Sequence, residues 1–299
     1  MKKYFEGKKN AKKLTATALV LLMTAALFTG CGSKSDEGDE GKARISVIAR
    51  ETGSGTRSAF NELMGISVDE KDMTTPYAEV SQSTAVVIAT VAGNENAIGY
   101  ISLGSLNDSV KAISIDGSAA TVENIKAGSY AASRPFLMIT KEGRKAGEAR
   151  TRLAEDFEKF VLSKQGQEIV AEEGYIPTDD NVAEYKQAQS LEGKLVIAGS
   201  TSVAPVMQKI ADAYKTIHEG VSIEIQQTGS GAGITSTVEG ACDIGMSSRD
   251  LKPEEEAEGL ESTELALDGI AVIVNKENAV SDMTSEQLRQ IFTGEVTQW

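Results

Sequence analysis

From residue 45 to the end of the chain, short apolar runs alternate with longer stretches in which apolar and polar positions are mixed, the pattern of strands followed by helices. The apolar runs predict strands over 45–49, 98–102, 111–115, 136–140, 195–198, 221–226, 244–246 and 270–274. The mixed stretches predict helices over 57–63, 83–92, 121–127, 150–162, 165–173, 203–216, 234–239 and 285–292. Thr284 and Gln287 stand at capping-box spacing at the head of the last helix. Strands and helices alternating in this way predict an α/β protein with parallel sheets, in which ligands sit at the C-terminal ends of the strands.

Two of those strand ends carry the same kind of loop. Gly53-Ser54-Gly55-Thr56-Arg57 follows the first strand, and Gly229-Ser230-Gly231-Ala232-Gly233 follows the strand over 221–226. A loop of this composition leaves the first-turn N–H groups of the next helix unpaired and lets an anion come close to the backbone, with the positive end of the helix dipole behind it. One such loop is a weak signal, since Gly-Ser runs also make plain turns. Two of them, with Arg50 and Arg57 beside one and Arg249 following the other, predict a single oxyanion held between two lobes.

The N-terminal pattern is different. Six lysines between residues 2 and 13 precede an apolar run from Leu14 to Phe28, which ends in Thr29-Gly30-Cys31. This is the layout of a signal peptide, and the run is too short and wrongly flanked for a stable spanning helix. Its ending resembles the lipobox of bacterial lipoproteins, which implies lipidation of Cys31; an uncleaved anchor would equally leave the rest of the chain outside the cytoplasm. Residues 32–42 contain no large apolar side chain and read as a solvated tether.

Charge and composition remove several function classes. Without residues 1–30, which hold six lysines and one glutamate, the formal charge moves from -14 to -19. So acidic a protein does not bind nucleic acid through bulk electrostatics, and an anion would have to be held by local dipoles and a few arginines. With Cys31 committed to lipid, Cys242 has no disulfide partner and reads as a buried structural thiol within an apolar strand. His218 is the only histidine; set in a polar turn, it reads as a surface residue and not as part of a catalytic triad. No cysteine and histidine cluster has metal-ligand spacing, and neither a metal nor an organic cofactor is expected. Tyr77, Tyr100 and Gln82-Ser83-Thr84 could border a cleft, although packing explains the tyrosines and helix capping explains the polar triplet. Glu254-Glu255-Glu256 reads as a solvated helix face.

A set of longer segments carries a family resemblance. Leu195-Val-Ile-Ala-Gly-Ser-Thr-Ser-Val-Ala-Pro205, Gln227-Thr-Gly-Ser-Gly-Ala-Gly-Ile234, Asp243-Ile-Gly-Met-Ser-Ser-Arg249, Asp268-Gly-Ile-Ala-Val-Ile-Val-Asn275 and Ile291-Phe-Thr-Gly-Glu-Val-Thr-Gln-Trp299 are successive blocks of one pattern. Ile48-Ala-Arg-Glu-Thr-Gly-Ser-Gly-Thr-Arg57, Ala97-Ile-Gly-Tyr-Ile-Ser102 and Gly166-Gln-Glu-Ile-Val170 belong to its later part. Together they resemble the phosphate-binding protein of the phosphate-specific ABC transporter, the PstS family. In that family the Gly-Ser-Thr-Ser block comes first, whereas here the later half, about 44–186, precedes the earlier half, 195–299, across a linker over 187–194. The resemblance therefore implies a circular permutant, with a truncated gene or a piece of a tandem duplication as the alternative.

What the resemblance implies is specific. The fold expected is α/β, a type II periplasmic-binding-protein fold of two lobes joined by two crossing segments, near 132–139 and 267–274. One lobe would be continuous, 134–269; the other would combine 44–133 with 270–299. Carried over to this numbering, the phosphate contacts fall on Arg50, Ser54, Gly55 and Thr56 in one lobe and on Thr201, Ser202 and Ser230 in the other, with Ser248 where some members place a proton-accepting aspartate and with Arg249 beside it. The implied function is capture of inorganic phosphate for an ABC transporter permease by a monomer tethered through lipid to the outer face of the cell membrane. An exported phosphate-ester hydrolase and a phosphate-sensing module are the competing readings.

Overall fold

A computed structural model describes residues 43–299 except Glu70, residues 144–147, residues 180–181 and Ala188. The signal segment, Cys31 and nearly all of the tether lie outside the described residues. β1 (Ser46–Arg50) runs through the first glycine loop into α1 (Gly55–Leu63), followed by a small hairpin, β2 (Ser67–Val68) and β3 (Lys71–Asp72), then β4 (Glu79–Ser81) and α2 (Thr84–Ala92). Next come β5 (Ala97–Ser102), β6 (Lys111–Ala112), β7 (Ser114–Ile115), α3 (Val122–Lys126), β8 (Ser133–Lys141), α4 (Ala149–Val161) and α5 (Lys164–Glu172). The remainder is β9 (Glu192–Gly199), α6 (Ala204–Ile217), β10 (Gly220–Gln227), α7 (Ser230–Val238), β11 (Ile244–Ser247), α8 (Pro253–Glu256), β12 (Leu260–Val274), β13 (Asp282–Met283) and α9 (Ser285–Thr293).

Local chemistry explains the helix starts. The hydroxyls of Ser54, Ser83, Ser163 and Thr284 each accept a first-turn N–H of α1, α2, α5 and α9. α9 stops at Gly294, whose φ of 85° is the left-handed conformation that favours glycine. The sheet is mixed and not purely parallel as the alternation predicts. Its strand order is β10-β9-β11-β8-β12-β5-β1-β4, with β6 pairing to β12. β9, β10 and β11 run parallel to one another, as do β1, β4 and β5, but β12 is antiparallel to both of its main neighbours.

β12 is the element that the apolar pattern shows least well. Its second part, from Ile270, pairs with β5, as its apolar run predicts; its first part, Leu260–Gly269, pairs with β8 with a register shift between Glu264 and Ala266. That first part, with four polar residues in a row from Glu261 and then Leu265-Ala266-Leu267, has no strand alternation, and its strand conformation depends on the partner across the ladder. The predicted strand over 111–115 is likewise two short strands, which pair with different partners, β12 and β13. Cys242 is buried as expected but sits in the turn before β11 and not within a strand.

Apolar packing falls into separate cores. One gathers Phe136, Phe157, Phe160, Ile197, Met207 and Tyr214 between α4, α5, α6 and the β9 side of the sheet. Another gathers Phe60, Tyr100, Ile98, Val272, Leu288 and Phe292 around α1 and α9. There Phe60 stacks on Tyr100 with ring centroids 4.1 Å apart, and Phe292 meets Phe60 edge-on at 4.9 Å. Among the described residues no helix is long and apolar enough to cross a membrane.

His218 departs from its expected surface position: it is 1% exposed and fastens the connection ahead of β9. Its Nδ1 accepts the N–H of Leu191 at 3.2 Å, and its Nε2 lies 2.7 Å from the Tyr185 hydroxyl. Tyr185 and Tyr214 both donate to Oδ2 of Asp156, at 2.6 and 2.7 Å. At the other end of the chain, residues 43–45 and 297–299 lie side by side, with the Ile45 N–H donating to Thr297 O at 2.9 Å and the Trp299 N–H to Ala43 O at 3.0 Å.

Candidate functional site

Four helix starts meet at one place. The first turn of α1 supplies Ser54, Gly55 and Thr56; α2 supplies Thr84; the segment before α6 supplies Ser200, Thr201 and Ser202; and α7 begins with Ser230. Every one of those hydroxyl side chains is buried, none more than 5% exposed. Thr56 Oγ1 is 3.0 Å from Ser202 Oγ, and Ser202 Oγ is 3.1 Å from Thr84 Oγ1. Thr201 Oγ1 accepts the Thr84 N–H at 3.3 Å. Ser200 donates to Ser248 Oγ at 3.0 Å, and the Ser248 N–H donates to Ser230 Oγ at 3.2 Å.

Arg50, at the end of β1 and 2% exposed, supplies the charge. Its Nη2 donates to Thr201 Oγ1 at 3.0 Å and its Nη1 to Thr84 Oγ1 at 3.4 Å. The other edge of the guanidinium is held by Glu51, with Nε and Nη2 each donating to a carboxylate oxygen at 2.9 Å. The Arg50 N–H donates to the Tyr100 hydroxyl at 3.2 Å. Burial pushes that phenol up to about 12, so it stays neutral beside the cluster. Arg57, in contrast, braces the loop from outside: its Nη1 donates to Arg50 O, and its Nε to Asp72, both at 2.6 Å.

The two glycine loops dock directly, with the Gly231 N–H donating to Gly53 O at 3.0 Å. Glycine at 55 is a steric requirement of that approach: a Cβ there would lie 2.5 Å from Ser230 Oγ and 2.7 Å from Ser248 Oγ. Gly229, at φ 90°, permits the opposite loop to turn into α7, and a Cβ on it would press on Glu51 at 3.1 Å. Chemically, the result is a set of convergent hydroxyls and first-turn N–H groups around one guanidinium. Such a set can satisfy the many lone pairs of a tetrahedral oxyanion.

The chain matches the family model of the PBP superfamily domain over residues 6–165 and 184–299. It is 47% identical over 296 residues to the phosphate-binding protein PstS 2 of Streptococcus agalactiae, covering 97% of this chain and 98% of that one. The chain belongs to the PstS family of phosphate-binding proteins. The crystal structure of a phosphate ABC transporter phosphate-binding protein from Streptococcus pneumoniae superposes with a TM-score of 0.67 at 44% identity, over 86% of this chain and 98% of that one. The phosphate-binding protein PstS of Bacillus subtilis matches over a shorter stretch, 31% identical across 116 residues, 38% of this chain and 39% of that one. The architecture is thus the periplasmic-binding-protein fold, α/β with a mixed sheet.

Eight of the nine residues expected to contact an anion come together: Arg50, Ser54, Gly55, Thr56, Thr201, Ser202, Ser230 and Ser248. Arg249 does not join them. Its guanidinium forms a two-pronged ion pair with Glu255, both bonds 2.7 Å, and also donates to Asp250 O. Burial acts to raise the Glu255 carboxyl, but Arg249 and the Lys252 N–H outweigh it and hold it below its ordinary value. Glu255 is therefore a partner and not part of a plain solvated face. Tyr77 is 85% exposed and takes no part.

Two cluster or supporting residues, Ser200 and Glu51, are missed by the sequence, and Thr84, which the sequence offers only as a possible cleft residue explained equally by capping, is a full member of the cluster. Thr84 is reached only because β4 carries the chain along the edge of β1, and a three-residue strand leaves little trace in sequence. Ser200 stands next to the recognised Thr201-Ser202 pair, so adjacency was its available signal. Glu51, next to Arg50 in sequence, could have been read as its counterion.

Proposed function

We propose that this protein captures inorganic phosphate outside the cytoplasm and hands it to the permease of an ABC transporter. The observation that carries this reading is the convergence of four hydroxyl-bearing helix starts on a buried arginine, drawn from segments far apart in one chain. Arg50, Ser54, Gly55, Thr56, Thr201, Ser202, Ser230 and Ser248 are the contacts in this reading. Full dehydration of a phosphate needs many donors at once, and an unfilled oxygen is costly. Ser248 brings a hydroxyl that can donate or accept, so charge repulsion does not exclude sulfate. The relatives named for phosphate binding and transport support a receptor over a hydrolase.

The two lobes in this reading are 44–133 with 270–299, and 134–269. The division of the cores supports it, since the core around Tyr100 draws on residues 45–132 and 270–292 together with Ile176. The chain order is read as a circular permutation of the usual family order. The partial match to the Bacillus subtilis protein, about two-fifths of each chain, and the pairing of 43–45 with 297–299 support that, and the end-to-end match to the Streptococcus agalactiae protein means that the same order is shared by that relative. A monomer tethered to the membrane through lipid on Cys31 completes the proposal.

Calorimetric titration of the purified protein with inorganic phosphate, sulfate and arsenate tests it. One phosphate bound per chain is expected. Absence of binding would refute the receptor, and turnover of a phosphomonoester would favour the hydrolase.

A further inference from the structure

Behind the hydroxyl cluster lies a buried ion pair. Arg134 on β8 and Asp268 on β12 are cross-strand partners, 3% and 1% exposed. Nε and Nη2 of Arg134 donate to Oδ2 of Asp268 at 3.2 and 3.0 Å, and Ser102 on β5 donates to Oδ1 at 2.8 Å. Desolvation makes such a pair a poor device for stability alone, because well-packed apolar residues often serve as well or better. Its contacts toward the cluster are more telling.

The remaining terminal nitrogen of Arg134, Nη1, donates to the carbonyl oxygen of Ser248 at 3.4 Å. Ser248 is the residue whose N–H meets Ser230 and whose hydroxyl meets Ser200. Its carbonyl is thus tied to β8 and β12, which run antiparallel along the middle of the sheet, and through Asp268 to Ser102 on the opposite side. Arg134 also lies close enough to Arg50 for the two positive charges to repel: burial first, and then Arg50, act to lower the Arg134 guanidinium, while Asp268 opposes them.

We infer that Arg134, held in place by Asp268, is a positioning residue for the bound anion: it fixes the Ser248 main chain within the cluster and sets a second buried positive charge behind Arg50. The inference rests on phosphate occupying the cluster. The geometry assigns Asp268 the task of keeping the guanidinium fork aimed at Ser248. Burial pushes the Asp268 carboxyl up to about 6 against the lowering pull of Arg134 and Ser102. The other groups facing the pair are the Gly104 N–H, Tyr130 and Tyr175 around the carboxylate, and Arg50 beside the guanidinium.

Calorimetry with inorganic phosphate between about pH 5 and pH 8 tests the inference on wild type, on Asp268→Asn, and on the double variant Arg134→Met with Asp268→Leu, which leaves no unpaired buried charge. At pH 8 both variants are expected to bind phosphate about tenfold more weakly, the size of one lost charge-assisted hydrogen bond. The Asp268→Asn deficit is expected to close below about pH 6, where wild type carries a neutral acid at position 268. A purely structural role predicts a deficit that does not change with pH, and that result overturns the inference, as does a double variant that binds like wild type. Wild type failing to bind phosphate at every pH overturns the reading of the site itself, and the inference with it.

Discussion

Arg50 and Thr201 are separated by 151 positions in the chain, yet the guanidinium of the first donates to the hydroxyl of the second at 3.0 Å. This contact joins the β1 end to the start of α6 and puts the cluster's one charged donor among its hydroxyls. Both partners are buried, so the bond is made away from water, where a charged donor counts most.

Arg50→Ala is therefore expected to lower phosphate affinity by roughly 2–5 kcal/mol, the cost of truncating one partner of a desolvated charged contact. On the affinity scale this is a loss of at least about thirtyfold. Calorimetry beside a thermal melt checks it: a folded variant that binds within threefold of wild type would remove Arg50 from the site.

Gly55→Ala tests the docking of the two loops. A methyl group at that position has Ser230 Oγ at 2.5 Å and Ser248 Oγ at 2.7 Å, so the loops must part. Overpacking of this kind costs about 1–3 kcal/mol of stability. Phosphate binding should fall with it, because the methyl displaces two hydroxyls of the cluster. A variant with unchanged melting temperature and affinity would show that the loops stand further apart in solution.

Arg249 provides the opposite test. The sequence places it next to Ser248, and the resemblance made it a candidate contact; the structure turns its guanidinium onto Glu255. Arg249→Ala is expected to leave phosphate affinity within threefold of wild type and to cost about 1 kcal/mol or less of stability, since the pair is only partly buried. A tenfold loss of affinity would return Arg249 to the site.

These contrasts show what the sequence could and could not convey. The glycine loops were readable because their chemistry is local: a strand end, a flexible loop and a helix start suffice to predict N–H groups ready for an anion. The arrangement of the sheet was not, because the first part of β12 becomes a strand only against β8, and β4 only against β1. The Arg134–Asp268 pair depends on those pairings and was therefore out of reach, and Thr84 could be offered only as a possible cleft residue because its place in the cluster depends on β4. His218 was misjudged for a related reason: its polar neighbours in sequence say nothing of Tyr214, whose ring centroid lies 4.6 Å from its own.

Asp156→Ala should separate stability from binding. It removes the acceptor shared by Tyr185 and Tyr214 and leaves the buried Tyr214 hydroxyl without it, while the half-buried Tyr185 hydroxyl keeps His218 Nε2 at 2.7 Å. An unsatisfied buried hydroxyl costs about 1–3 kcal/mol, so the melting temperature should drop clearly. Phosphate affinity should stay within threefold, because none of these residues contacts the cluster. A large loss of affinity at unchanged stability would mean that the linker over 187–194 is coupled to the site.

The proposed permutation can be tested by undoing it. If the usual family order places residue 44 soon after residue 299, a chain re-joined there and opened within 187–194 should fold to the same structure. The geometry favours this, since residues 43–45 already pair with 297–299 and a short loop would span the gap. The opened linker is held at Leu191 by His218, and Tyr185 just ahead of it is held by Asp156, so some loss of stability is expected there, with the site left whole. The re-ordered protein should be a monomer by light scattering and bind one phosphate with wild-type affinity, because Arg50 and Thr201 remain in one chain. If it binds only as a dimer, or not at all while still melting cooperatively, the two segments do not form a single-chain cleft and the permutation reading fails.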